Sequence, residues 1–145
     1  ADFVSLTEKI GQKVYIRNYI KSYQLFFSLL SLLIFSISCF FSKSILLLFG
    51  KEYVNYSDSF VILIFGITGI FIFRGIYGNL LSSIGKMSVN YYIVSIAILI
   101  NILSNFYLIP IYGIKGAAVT SSTLMWLTGI ASWVCFNYLY KKKDY

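Results

Sequence analysis

The chain has 145 residues, 59% hydrophobic and 12% charged, about half the charge of an average soluble domain. Its net charge of +7 would point to nucleic acid only on the basic face of a soluble domain, and the spacing of the charges leaves no room for one. There is no histidine, and Cys39 and Cys135 have no companion ligand set, so no metal, cofactor or nucleic-acid partner is expected.

The charges divide the chain. Ser22 to Ser42 is uncharged, and Asp58 and Lys86 bracket a stretch whose one charge is Arg74. Lys86 to Lys115 and Lys115 to Lys141 enclose two more uncharged stretches. A bilayer span needs about 20 predominantly apolar residues. The expected fold class is therefore an all-α membrane protein with four transmembrane helices and a short interfacial helix.

Residues 1–21 are expected to form a basic cytoplasmic helix. Lys9, Lys13, Arg17 and Lys21 recur every four residues, which puts them in one stripe on a helix. Like charges so placed cost a few tenths of a kcal/mol per pair, and anionic headgroups return about 1 kcal/mol per basic residue. A solvated basic linker is the alternative. The first span, 22–42, is nearly pure Leu, Ile, Phe and Ser. Residues 43–57, with "KSILLLFGKEY", hold an apolar run too short to cross and should lie at the outer interface, with Gly50 as a helix stop.

The second span is 58–85. Gly66, Gly69, Gly75 and Gly78 thin it, and Gly78 and Ser82 form a small-xxx-small pair that lets helices approach closely. The third is 88–109, where Asn90, Ala97, Asn101, Ser104 and Asn105 fall within an arc of about 100°. Such a stripe serves either interhelical hydrogen bonding or the lining of a polar pathway. Pro110 should end this helix, Gly113 should permit the turn, and 110–115 should form an outer turn. The fourth span, 116–140, opens on the small residues Gly116, Ala117, Ala118 and Thr120, and 141–145 form a cytoplasmic tail.

With both ends in the cytoplasm, eight lysines and arginines lie inside and three outside, leaving Arg74 aside, as the positive-inside rule expects. The opening "ADFVSLTEKIGQK" reads as the middle of a longer membrane protein.

Three stretches carry a family resemblance. "NFYLIPIYGIKGAAVTS" resembles the Asn-x-x-Leu-Ile-Pro-x-Tyr-Gly-x-x-Gly-Ala-Ala segment of bacterial polysaccharide and O-antigen flippases. These belong to the multidrug/oligosaccharidyl-lipid/polysaccharide exporter superfamily. "LLLFGKEYVNYSDSFVIL" is similar to the Leu-Phe-Gly-x-x-Tyr stretch after that family's ninth helix, and "LLSSIGKMSVN" to its short cytoplasmic turn. The three are collinear across about Ile45 to Ser122. The resemblance implies the C-terminal four helices of a twelve-helix, two-lobe transporter whose first eight helices belong to the same protein. It further implies that the whole moves undecaprenyl-pyrophosphate-linked sugar repeats across the bacterial plasma membrane by alternating access. Its partners would be that lipid-linked oligosaccharide and the membrane lipids.

Arg74 has no counterpart in those motifs, so its role rests on physical grounds. It lies about 15 Å from the nearer end of the expected helix and leans away from that end. The rival reading ends the span at Phe73 and leaves Arg74 at the interface, but the apolar run is then short. A charge near the bilayer centre costs about 2.5–3.5 kcal/mol on insertion scales. Of the acids of the chain, Asp2, Glu8, Glu52 and Asp144 fall outside the expected spans and Asp58 stands at the outer end of the second, so none lies beside Arg74. The guanidinium's planar fork suits phosphate. Tyr77, three residues on, shares its face and can bind sugar, orient the guanidinium or pack against it. Arg74, Tyr77, Asn101 and Asn105 are the candidate substrate-binding residues, and none is expected to be catalytic.

The expected function is a flippase. A structural subunit of a membrane complex is the alternative, and a membrane glycosyl- or acyltransferase a lesser one. An enzyme of that kind needs acid–base or nucleophilic groups at its substrate, and the interiors of the spans hold neither histidine nor carboxylate.

Overall fold

The computed structural model describes residues 13–142, and there it consists of four long helices. Helix α1 is Lys13–Leu47. Helix α2 occupies residues 57–83 and is entered through a 3₁₀ turn, Lys51–Tyr56. Helix α3 is Met87–Tyr112 and α4 is Ile114–Lys142. Each is long and apolar enough to cross a membrane. The start of the expected basic segment, with Lys9, lies outside the described residues, as do residues 143–145 of the expected tail.

Two expected boundaries are corrected. The segment 43–57 does not stand apart from the first span: α1 continues unbroken through Lys43 to Leu47, because no residue there interrupts it. Its last turn tightens through i→i−3 bonds, Phe49 N–H to Leu46 and Gly50 N–H to Leu47, and Gly50 breaks the chain at φ 139. Pro110 does not end α3, which runs on to Tyr112 with the proline inside it. A proline near a helix end forfeits one ladder donor, and the ladder resumes when Gly113 N–H bonds the Ile109 carbonyl at 2.8 Å. The stop is Gly113 itself, at φ 59, and α4 starts at the next residue. The outer turn expected over 110–115 is therefore one residue long.

Burial is inverted relative to a soluble protein. Among the described residues, buried polar side chains include Ser31, Ser38, Ser42, Thr120, Ser122 and Ser132, whereas Phe40 is 87% exposed and Phe106 75% exposed. An apolar solvent around the bundle accounts for this. Lipid tails are as apolar as leucine, so helices associate through small residues that let backbones come close. Ser31, Ser38 and Ser42, at steps of seven and four, form such a face on α1. That helix runs antiparallel along α2, with Phe27 stacked on Phe71 and Phe35 tilted against Phe65.

The central pair is α2 and α4, which run parallel. Asp58 meets Lys115, Gly69 meets Trp126, Phe73 meets Gly129, Arg74 meets Ser132 and Tyr77 meets Phe136. Near its end α2 also helps to form an apolar core of Ile76, Tyr77, Leu80 and Leu81 with Phe136, sealed by Tyr23 of α1 and Val89 of α3. All four helices meet at this end.

The α2–α4 contact depends on missing side chains. A Cβ on Gly66 would stand 2.7 Å from the Ser122 Cα, and one on Gly69 would stand 2.7 Å from the Trp126 ring. Gly78, by contrast, has its nearest neighbour, Asn90, at 3.7 Å. Gly66→Ala and Gly69→Ala should therefore each cost about 1–3 kcal/mol through overpacking. Gly78→Ala should cost far less. Thermal unfolding of the purified full-length protein in detergent measures the difference; equal effects at all three positions would contradict the close approach.

Candidate functional site

Arg74 closes an unusual turn of α2. Residues Ile70–Arg74 are π-helical, and the Gly75 N–H reaches back to the Ile70 carbonyl. Such a turn holds one residue more than an α turn, is rare, and occurs often at functional sites. Facing it on α4 is Gly129, where a Cβ would lie 3.0 Å from the Phe73 Cβ, 3.1 Å from the Gly69 carbonyl oxygen and 3.4 Å from the Arg74 nitrogen. The wide turn thus sits against a glycine of the facing helix.

The Arg74 side chain is half-buried. Its Nη1 donates to the Ser132 Oγ at 2.9 Å. Ser132 is 0% exposed, and its hydroxyl donates in turn to the Thr128 carbonyl at 2.9 Å. A guanidinium has five N–H donors. Among the described residues one of them has a protein partner, and the ion pair found is the exposed Lys115–Asp58 contact at 3.5 Å. The helix continues past Arg74 for nine residues, to Ser83, about 14 Å. The arginine therefore sits within the helix and not at its end.

Tyr77 lies one turn later but in a different setting. It is 5% exposed, its ring is 5.7 Å from that of Phe136, and its hydroxyl donates to the Gln24 Oε1 at 3.4 Å. Its position is that of a packing residue that ties α2 to α1 and α4.

On α3, Asn90, Ala97, Asn101, Ser104 and Asn105 are all half-buried and share the helix's inward face. Two separate pairings result. Asn90 donates from Nδ2 to the Gly78 carbonyl at 2.7 Å and to the Ser82 Oγ at 3.2 Å. It therefore fastens the start of α3 to the small-residue pair near the end of α2. Asn105 donates to the Asn101 Oδ1 at 2.6 Å, while its own Oδ1 is buried with no partner among the described residues. Asn101 lines an open groove of about 310 Å³ between α3 and α4, with Ser121, Leu124, Met125 and Thr128.

The arginine and the asparagine pair make separate hydrogen bonds. Thr128 connects their surroundings, since its carbonyl accepts from Ser132 and its side chain lines the groove. Sequence reasoning passed over Ser132, Thr128, Gly129 and Gln24. The spacing of Thr128 and Ser132, four apart in an apolar helix, is the same polar signal that marked Asn101 and Asn105. Chemically, the site offers one cation, hydroxyls and carboxamides. Among the described residues no group of three His, Cys, Asp or Glu side chains is placed to hold a metal ion.

The chain is similar to the capsular polysaccharide biosynthesis protein CapF of Staphylococcus aureus, with 35% identity over 108 residues. The match takes in 73% of this chain and 26% of that protein, so the chain spans about a quarter of the length of its relative. No family model and no solved structure matches it.

Asn90→Ala should loosen the α2–α3 junction. Interhelical hydrogen bonds of this kind average about 0.6 kcal/mol each in membrane proteins, so the two together should be worth about 1 kcal/mol. The melting temperature of the purified full-length protein reports it. An Asn90→Ala variant as stable as the parent would show that these bonds hold nothing.

Proposed function

We propose that this chain is part of a bacterial plasma-membrane transporter. The transporter flips undecaprenyl-pyrophosphate-linked oligosaccharide repeats to the outer leaflet for surface polysaccharide assembly. The observation that carries the proposal is Arg74: a cation within a membrane helix, with most of its donors unmatched by protein groups among the described residues. Such a residue is expensive in a bilayer and marks a substrate path by default. Similarity to a capsular polysaccharide biosynthesis protein supports the assignment to this pathway, as do four helices able to cross a membrane.

In this reading the four helices are the C-terminal part of a twelve-helix, two-lobe protein, and the other eight complete the cavity. Arg74 grips the pyrophosphate through its planar fork. Asn101, oriented by Asn105, offers its carboxamide to sugar hydroxyls at the α3–α4 groove. Tyr77 contributes through packing beneath Arg74. In this reading the whole protein acts as a transporter and not as an enzyme.

The test is export of surface polysaccharide by full-length variants at matched protein levels. Arg74→Ala should abolish export. Arg74→Lys should retain part of it, because lysine keeps the charge but loses the bidentate fork. Normal export by Arg74→Ala would remove the basis of the proposal.

Both ends of the chain are placed in the cytoplasm on the charge balance. Single cysteines at Lys51 and Lys142, in a background without Cys39 and Cys135, should label from opposite sides of the membrane. Labelling from the same side would refute the arrangement.

A further inference from the structure

The contact that holds Arg74 has a feature that a simple counter-charge would lack. Its partner, Ser132, is neutral, fully buried and already committed: the hydroxyl proton goes to the Thr128 carbonyl. What remains at Oγ is acceptor capacity alone, aimed at Nη1 of the guanidinium at 2.9 Å. The backbone one turn before Ser132 is fixed too, because Gly129 lies against the π turn and the Arg74 nitrogen. A long arginine side chain carries about 2 kcal/mol of rotamer entropy, and a fixed acceptor removes part of that freedom before any ligand arrives. With Nη1 occupied, the Nε and Nη2 donors along the other edge stay available, and this edge matches two phosphate oxygens. A carboxylate at position 132 would hold the arm equally well but cancel its charge.

We propose that Ser132 is a positioning residue for the substrate's phosphate: it orients the Arg74 guanidinium through Nη1 without neutralising it and so presents the Nε–Nη2 edge to the anion. The proposal rests on the reading of Arg74 given above, and the experiment separates the two. Binding of undecaprenyl pyrophosphate is measured with the purified full-length protein carrying Ser132→Ala, Ser132→Thr, Arg74→Ala, or Arg74→Ala with Ser132→Ala. Arg74→Ala should reduce binding to a residual level. Ser132→Ala should weaken it about tenfold, in line with a hydrogen bond to a charged group, and Ser132→Thr, which keeps the hydroxyl, should restore most of the loss. In the Arg74→Ala background the second change should have no further effect, since positioning acts only through the arginine. Two outcomes would overturn the role of Ser132 while leaving that of Arg74 intact. One is wild-type binding by Ser132→Ala. The other is an equal loss from Ser132→Ala with and without Arg74, the mark of a merely structural residue. Wild-type binding by Arg74→Ala would instead overturn the underlying reading, and this one with it.

Discussion

The structure depends on how closely α2 and α4 approach each other. Two parallel helices cannot be sequence neighbours without a return between them, so α3 is obliged to run back along α4, and its start is tied to the end of α2 through Asn90. Gly66 and Gly69 on one side and Gly129 on the other let the backbones come near contact. Glycine offers no apolar surface, yet in lipid the gain comes from dispersion over a close, complementary seam. The same seam sets the register that brings Arg74 opposite Ser132 and Tyr77 opposite Phe136. Position at the site is thus a consequence of packing along the whole pair.

Treating the bilayer as the solvent makes the distribution of residues intelligible. Leucines and phenylalanines face outward at no cost, while serines and threonines turn inward and satisfy themselves on carbonyls three or four residues earlier, as Ser31, Thr120 and Ser132 do. Arg74 is the exception. A single hydrogen bond to a neutral acceptor does not offset the cost of a guanidinium in hydrocarbon. The imbalance has to be met by something beyond the described residues. In the proposed transporter that is the diphosphate of the substrate, with water in the cavity when substrate is absent.

Much of this was legible in the sequence. The four helices follow from the gaps between charges, and the inward face of α3 follows from the arc holding Asn90, Asn101 and Asn105. Other features were over-read or invisible. Pro110 looked like a helix end, but one lost donor near a terminus is cheap, and Gly113 decided the matter. The serines of α1 seemed uninformative among so much leucine, although Ser31, Ser38 and Ser42 keep the seven- and four-residue steps of a packing face. The π turn at Ile70–Arg74 depends on hydrogen-bond register, which composition does not encode. That α2 and α4 point the same way was implicit in the single crossing between them, but that they lie side by side required tertiary structure. Tyr77 illustrates the same limit: its spacing from Arg74 was visible, whereas its burial against Phe136 was not.

The central claim is that the unmatched donors of Arg74 belong to a phosphate. The most direct measurement is a structure of the full-length protein with a pyrophosphate-linked lipid bound. The account predicts phosphate oxygens within about 3 Å of the free guanidinium edge, with Nη1 still on Ser132. An Arg74 found in an ion pair with a carboxylate from another part of the protein, with the phosphate held elsewhere, would contradict it.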